Sequence, residues 1–262
     1  IIQCDLTKDE DVTKLAKLIS PDVIIHAAGT KDIQFCEHNK EIASLINTYS
    51  VENLAKYFSN TKIIYISTDY VFKGDLGMYK EDDMPNPITV YGETKYQGEI
   101  IGKKIAGKNF KVIRTSSVFS KNSTFINFIR SNLENGIHIE AYSDSIFSPT
   151  YIDDLSNCIE SLINNNFYSD IFHINGSAIS RYSFAKLYAE LCDFYSNIIL
   201  PIKNDGRHPY LYKNLSMSNL KTNSILHHKP TLLSAAFKEI ITSSRNQNKD
   251  ENSEKKIKSE ID

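Results

Sequence analysis

The chain lacks long apolar runs, and its four cysteines are scattered. A membrane-spanning helix needs about 20 consecutive apolar residues, so we expect no membrane partner. No C-x-x-C pair occurs among the cysteines, and we expect neither a disulfide framework nor a metal site. These features favour a reducing, cytoplasmic setting. The cysteines are Cys4, Cys36, Cys158 and Cys192.

The 262-residue chain also has little net charge, with a formal value of −2 and no basic stripe. This charge pattern argues against nucleic acid as the main partner. Its hydrophobic content of 41% is ordinary for a globular protein. The length suits one large domain, or a domain with a smaller lobe.

Glycine is scarce as well: ten are present, and none forms G-x-G-x-x-G or G-x-x-G-x-x-G. In a dinucleotide-binding βαβ unit, such a turn lies between the first strand and helix and receives the pyrophosphate. The sequence therefore contains no recognisable pyrophosphate-binding loop.

The most informative segment, residues 62–99, predicts a strand, a loop and a helix. Residues 62–67 form a β-branched run typical of a buried parallel strand. After the loop, Tyr91 and Lys95 are four residues apart, which places both side chains on one helix face. The ammonium of Lys95 is then expected close to the phenol of Tyr91.

This arrangement predicts a proton donor. Tyrosine has a pKa of about 10, and a nearby cation can lower it by roughly one to three units. A hydroxyl at the end of the preceding strand, from Ser67 or Thr68, would share the hydrogen bond to the reacting oxygen. Together these groups could protonate an alkoxide forming at a carbonyl carbon. The Y-x-x-x-K spacing also arises by chance on exposed helices, so the neighbouring motifs must show whether this pair is functional.

Three predicted strands end in small or polar residues, namely residues 27–29, 67–69 and 114–117. The binding crevice of an open parallel sheet lies outside the carboxyl ends of its strands. We therefore expect these three ends to meet on one rim. Between the first two strands, residues 32–58 predict a long amphipathic helix, in which Asn47 is expected to make helix contacts.

A series of motifs occurs in a fixed order along the chain. The series resembles the extended short-chain dehydrogenase/reductase family, and within it the dTDP-4-dehydrorhamnose reductases, from Cys4 to about Ile241. The matching segments are 67–74, 85–87, 91–95, 98–99, 114–116, 148–150, 153–155, 207–209 and 215–220.

The resemblance implies an α/β fold, a Rossmann-like doubly wound parallel sheet with a small C-terminal substrate-binding lobe. The first βαβ segment, on the order of 30 to 40 residues, is missing, and we expect the sequence to be a fragment of a longer protein rather than a member that has lost the segment. The expected domains are an NAD(P)-binding domain at 1–140 and, at 141–242, a substrate-binding lobe interleaved with the last Rossmann elements. Residues 243–262 predict a disordered tail, because they have few apolar side chains to bury.

The resemblance also implies the site residues, with NADPH or NADH as cofactor. The catalytic residues are Tyr91, Lys95 and Thr68. The cofactor-binding residues are Asp5, Leu6, Ala27, Ala28, Gly29, Ile66, Tyr91 and Lys95. The substrate-binding residues are Thr68, Asp69, Ser117 and Arg207. Two of these assignments carry a reservation from the sequence: Asp5 can equally cap the next helix, and the family usually has tryptophan where this chain has Ser117.

The implied activity is reduction of the C4 keto group of a nucleotide-linked 4-keto-6-deoxysugar, with a dTDP-linked substrate, in dTDP-L-rhamnose biosynthesis. A homodimer is a further expectation from the resemblance. Two alternatives stay open: a sugar-nucleotide epimerase or dehydratase of the same fold, and a non-catalytic regulatory subunit. A dehydratase normally needs a pair of carboxylates beside the tyrosine, and the segment 67–69 offers only Asp69.

Overall fold

The computed structural model describes residues 1–243, so the predicted tail beyond Ser243 lies outside the described residues. Helices and strands are interspersed along the chain. The helices are α1 Asp9–Leu18, α2 Ile33–His38, α3 Lys40–Ser44, α4 Ser50–Tyr57, α5 Val90–Ala106, α6 Thr124–Glu134, α7 Ile152–Asn164, α8 Arg181–Leu191, α9 Leu220–Leu226 and a last helical stretch at 233–243. The strands are β1 Val23–His26, β2 Lys62–Thr68, β3 Phe110–Thr115, β4 Val118–Phe119, β5 Ile139–Tyr142, β6 Ile146–Phe147, β7 Thr150–Tyr151, β8 Ile171–Ile174, β9 Ile179–Ser180 and β10 Ile199–Ile202.

The main sheet has four parallel strands in the order β1-β2-β3-β8. Its two central strands, β2 and β3, are almost entirely buried, which explains why their sequences are β-branched and aromatic runs. Strand β1 forms one edge, and its Ile25 is 47% exposed. Because all four strands are parallel, their carboxyl ends lie on the same edge of the sheet.

Helices cover both faces of this sheet. On one face, Ile63 and Tyr65 of β2 pack with Val51 and Ala55 of α4. On the other face, the neighbouring Ile64 packs in a cluster that includes residues of α7. This alternation along β2 is the side-chain period of a strand. The predicted α/β, Rossmann-like doubly wound fold is confirmed.

A separate apolar cluster lies in the second half of the chain. It is built from aromatic and aliphatic residues of α6, α8, several short strands and the last helical stretch, with Phe184 and Phe237 at ring contact. The cluster draws on residues from both sides of position 140, and β8 returns to the main sheet from beyond that position. The proposed boundary at residue 140 therefore stays a prediction.

The segment predicted as one long helix, residues 32–58, is divided. Helix α2 ends at His38, and α3 and α4 are joined by a π-helical turn, Leu45–Tyr49. Asn39 adopts a non-helical conformation between α2 and α3, which apolar periodicity does not report. Across residues 1–243, no helix combines the length and the apolar character that crossing a bilayer requires.

Candidate active site at the carboxyl ends of the strands

A cavity of about 580 Å³ opens where the carboxyl ends of β1, β2 and β3 meet the separate apolar cluster that contains Phe184. The three predicted strand ends all contribute to its wall. Its lining includes residues 27–31 after β1, residues 66–70 around the end of β2, Thr115 at the end of β3 and Ser117 after it, residues 122–125, and Tyr91, Lys95, Phe147, Arg181 and Phe184.

Helix α5 carries Tyr91 and Lys95 into this cavity. Thr89 caps the helix by accepting a hydrogen bond from the Gly92 backbone N–H at 3.1 Å. A Cβ built on Gly92 would lie 2.1 Å from the Tyr70 carbonyl oxygen, so only glycine permits this approach of helix to loop. The cap and the glycine together fix the first turn of the helix, where Tyr91 lies, against the end of β2.

The ammonium of Lys95 is buried against the sheet. It donates a hydrogen bond to the Ile66 carbonyl oxygen at 2.7 Å and lies 4.0 Å from the centroid of the Tyr65 ring. Burial lowers the pKa of Lys95 to about 7, although the Glu99 carboxylate opposes the change. Lys95 therefore exchanges its proton near neutral pH.

The pKa of Tyr91 moves in the direction opposite to the one expected from its spacing to Lys95. Burial raises the pKa of the Tyr91 phenol above its ordinary value, and the interaction with the Thr68 hydroxyl only partly offsets that rise. The Lys95 ammonium is directed at the Ile66 carbonyl oxygen and the Tyr65 ring. Tyr91 is consequently a phenol that holds its proton at neutral pH.

The structure separates the roles of the two hydroxyls at the end of β2. Ser67 donates a hydrogen bond of 2.5 Å to the Glu99 carboxylate, so its proton is directed away from the cavity. Thr68 instead interacts with Tyr91 and accepts from the Tyr70 backbone N–H at 3.2 Å. Thr68 is thus the hydroxyl placed beside the tyrosine.

Asp69 is buried next to these groups. It accepts a hydrogen bond from the Thr68 hydroxyl at 3.1 Å. Burial raises the pKa of Asp69 to about 6, with the Thr68 hydrogen bond and the charge of Arg181 acting in the opposite direction. Among the described residues that line the cavity, Asp69 is the one carboxylate.

Asn47, in the π-helical turn, fixes the loop that follows β1. Its side-chain oxygen accepts from the Thr30 backbone N–H at 2.9 Å, and its amide donates to the Thr30 carbonyl and to the Thr94 hydroxyl, each at 3.1 Å. A Cβ on Gly29 would lie 3.0 Å from the Asn47 side-chain oxygen and 3.9 Å from the Lys95 ammonium. The backbone at Gly29 therefore approaches Lys95 closely. Asn47 makes the helix contacts expected of it, but these contacts also shape the cavity wall.

The predicted site residues fall into two groups. Nine line the cavity: Ala27, Ala28, Gly29, Ile66, Thr68, Asp69, Tyr91, Lys95 and Ser117. The other three, Asp5, Leu6 and Arg207, are not part of its lining. Asp5 is exposed and accepts hydrogen bonds from Thr7. The Arg207 side chain is 78% exposed and pairs with Asp205 at 2.5 Å.

Sequence reasoning missed two charged residues of the site. Arg181, the first residue of α8, lines the cavity, and Glu99 lies behind Lys95. For each of the two residues, helical spacing in the sequence could have indicated a position at the site. Arg181 is three residues before the fully buried Phe184, on the buried side of α8, and Glu99 follows Tyr91 and Lys95 at the same four-residue interval.

A parallel sheet with a tyrosine, a lysine and a threonine hydroxyl gathered at its strand ends defines a protein of the extended short-chain dehydrogenase/reductase class. More specifically, the chain belongs to the family described as "RmlD substrate binding domain", whose model matches residues 2–245.

Named relatives and a solved structure agree with this family. The dTDP-4-dehydrorhamnose reductase of Escherichia coli (strain K12) is 31% identical over 195 residues, covering 71% of this chain and 65% of that protein. The methionine adenosyltransferase 2 subunit beta of Xenopus tropicalis is 43% identical over 90 residues, covering 34% of this chain and 27% of that protein. The chain spans less than two thirds of the length of these curated relatives.

The crystal structure of dTDP-4-dehydrorhamnose reductase from Bacillus anthracis str. Ames in complex with NADP has a similar fold. Its TM-score is 0.82 at 27% identity, over 91% of this chain and 85% of that one.

Proposed function

We propose that this chain carries the reducing site of a dTDP-4-dehydrorhamnose reductase-like enzyme, which reduces the C4 keto group of a dTDP-linked 4-keto-6-deoxysugar. The observation that carries the proposal is the placement of Thr68 beside the protonated Tyr91, with Lys95 on the same face of α5, in a cavity of about 580 Å³. The relatives named dTDP-4-dehydrorhamnose reductase support the same substrate class.

The chain's own residues would act on the carbonyl oxygen. The Thr68 hydroxyl turns from Asp69 to that oxygen and polarises it by donating a hydrogen bond, and Tyr91 transfers its phenolic proton to the alkoxide as it forms. Lys95, whose pKa lies near 7, can return a proton to the tyrosinate afterwards. Asp69 accepts hydrogen bonds from hydroxyl groups of the sugar.

The residues at the strand ends fit a nicotinamide nucleotide. The small residues Ala27, Ala28 and Gly29 leave room for a ligand backbone, and Lys95 has donors remaining beyond its hydrogen bond to Ile66 for a ribose hydroxyl. NADPH or NADH bound there supplies the hydride for the C4 carbon. We also propose that Asp5 and Leu6 contact the adenine of the cofactor, which would then extend past the cavity, since neither residue lines it.

The test is reduction of a dTDP-linked 4-keto-6-deoxysugar with NADPH and with NADH, with the product identified by NMR as the C4 alcohol. The 262-residue chain and a chain extended upstream are assayed together, because the sequence contains no glycine-rich turn. Turnover by either chain supports the proposal. Absence of both nicotinamide binding and turnover in both chains would contradict it.

An epimerase or dehydratase of the same fold is less well supported. A dehydratase uses a second carboxylate beside the tyrosine, and Asp69 is the one acidic residue lining the cavity within residues 1–243. The same NMR assay separates these reactions, because only the reductase consumes the reduced cofactor in proportion to product.

A regulatory role is a second candidate, and the likeness to the methionine adenosyltransferase 2 subunit beta favours it. In that role the chain would bind a catalytic partner without turning over a sugar nucleotide. Co-purification with a methionine adenosyltransferase catalytic subunit tests this directly. A chain that reduces the keto sugar and leaves that enzyme unbound would exclude the regulatory role.

We also propose a cytoplasmic homodimer. The four cysteines are free, as a reducing compartment requires. Ile42, Leu45 and Tyr49 lie three and four residues apart, so they share one face of the α3–α4 segment, and each is about half exposed. Light scattering on the wild type and on Leu45→Glu tests this surface, and an unchanged mass would contradict it.

A further inference from the structure

Arg181 differs from the other arginines that the structure describes. Arg114 forms an ion pair with Glu99, Arg207 pairs with Asp205, and Arg130 donates to the Asn127 side chain. Within residues 1–243, no carboxylate lies within 4.0 Å of the Arg181 guanidinium, and its Nε atom is buried without a hydrogen-bond partner. A buried donor without a partner carries a free-energy cost, which a bound ligand can remove.

The position of Arg181 is fixed by its surroundings. It begins α8, where the Ser180 hydroxyl caps the helix by accepting from the Ser183 backbone N–H at 3.0 Å. Its guanidinium carbon lies 5.0 Å from the centroid of the Phe147 ring. Stacking on an aromatic ring leaves the edge of a guanidinium free to donate hydrogen bonds in its plane. Both residues line the cavity.

The cavity joins Arg181 to the catalytic groups. Its positive charge acts on Asp69 and lowers the pKa of that carboxyl, although burial has the larger, opposite effect. Arg181 is therefore in electrostatic reach of the residue next to Thr68, but its charge is not neutralised by a direct ion pair. A ligand that enters the cavity with negative charge would meet this cation.

We propose that Arg181 binds the diphosphate of the nucleotide-linked substrate. This inference rests on the proposed function, because it assigns a residue to the substrate of the same site. A diphosphate matches the planar donor edge of a guanidinium, which can bind two phosphate oxygens at once. The role expected of Arg207 from family resemblance is then performed by Arg181, which lines the cavity where Arg207 does not.

The test is titration calorimetry of the 262-residue chain with dTDP, UDP and thymidine. Arg181→Gln should weaken binding of dTDP and of UDP by the same factor, about 10-fold to 100-fold, because it removes charge-assisted hydrogen bonds to phosphate. Thymidine binding should not change, since thymidine has no phosphate. Arg181→Lys keeps the charge but not the paired donors, so its affinity for dTDP should be intermediate.

Two control variants sharpen the comparison. Lys186→Gln removes a cation from the same helix outside the cavity lining and should leave all three affinities unchanged. Arg207→Gln should leave dTDP binding within about twofold of the wild type, as expected when an exposed ion pair is lost. A loss of dTDP affinity in Arg207→Gln but not in Arg181→Gln would overturn the proposal.

Two further outcomes would also overturn it: dTDP binding to the wild type that is no tighter than thymidine binding, and full dTDP affinity in a folded Arg181→Gln. If circular dichroism shows that Arg181→Gln does not fold, two other measurements test the proposal. Arg181→Lys should bind dTDP with intermediate affinity, and inorganic pyrophosphate should displace dTDP from the wild type. The reductase assay tests the proposed function separately. A wild-type chain that binds dTDP through Arg181 but does not reduce the keto sugar would contradict the proposed function and leave the role of Arg181 standing.

Discussion

The carboxylate of Glu99 holds the guanidinium of Arg114 in a buried ion pair, with 2.7 Å between Oε2 and Nη2. The same carboxylate accepts the Ser67 hydroxyl at 2.5 Å, so one side chain of α5 binds the ends of both central strands. Glu99 follows Lys95 by one helical turn, and its charge raises the pKa of Lys95 against the effect of burial. Glu99 therefore both connects the strand ends that line the cavity and influences the charge of Lys95.

Glu99→Gln should destabilise the fold by about 3–5 kcal/mol, because it leaves the buried Arg114 cation without its counter-charge. Urea unfolding followed by circular dichroism measures this loss. Glu93→Gln, an exposed change on the same helix, is the control and should change the free energy of unfolding by less than about 0.5 kcal/mol. A Glu99→Gln variant as stable as this control would show that the pair contributes little.

Lys95 should make the stability of the chain depend on pH. Its pKa is about 7 in the folded chain, against an ordinary value of 10.5, so between these values the unfolded chain binds more protons than the folded one. Stability from this group therefore rises with pH above 7, by up to about 1.4 kcal/mol per pH unit.

The Lys95→Met variant isolates that contribution. The difference in free energy of unfolding, wild type minus Lys95→Met, should increase between pH 7 and pH 10, and both proteins are measured by urea titration at each pH. A difference that stays constant across this range would mean that the folded-state pKa of Lys95 is not lowered.

The two hydroxyls at the end of β2 should have distinguishable effects. Thr68→Val removes the group beside Tyr91, and kcat should fall by about 100-fold or more. Stability should fall by about 1–3 kcal/mol as well, because the hydroxyl also donates to Asp69 and accepts from the Tyr70 N–H. Ser67→Ala removes a donor from the Glu99 carboxylate, and it should lower stability by about 1–3 kcal/mol while affecting kcat less. Steady-state kinetics and urea unfolding on both variants measure these effects. A larger loss of kcat in Ser67→Ala than in Thr68→Val would place Ser67 at the reacting oxygen.

Much of this architecture was predictable from the sequence, because strands and strand ends have local signals. The β-branched run of β2 predicts a buried parallel strand, and parallel strands bring their carboxyl ends to one edge, so residues 27–29 and 67–69 were expected to meet. The four-residue interval between Tyr91 and Lys95 predicts a shared helix face in the same way. These inferences need only local periodicity and the geometry of the fold class.

What the sequence could not give depends on long-range packing. The direction of the Tyr91 pKa shift follows mainly from burial of the phenol, which residue spacing does not encode. Arg181 is more than 100 residues from Asp69 in sequence, and only the folding of the intervening chain brings it to the cavity. The interruption of the helix at Asn39, within residues 32–58, is likewise not indicated by the periodicity of apolar residues.

Tyr91→Phe provides the most direct test of the central claim, that the Tyr91 phenol donates the proton in the reduction. The change keeps the ring, which packs 5.5 Å from the Tyr70 ring, and removes only the hydroxyl. With the dTDP-linked 4-keto sugar and NADPH, kcat should fall by about 100-fold or more, while the unfolding midpoint and the Kd for dTDP stay close to those of the wild type. Full turnover by a folded Tyr91→Phe would contradict the account.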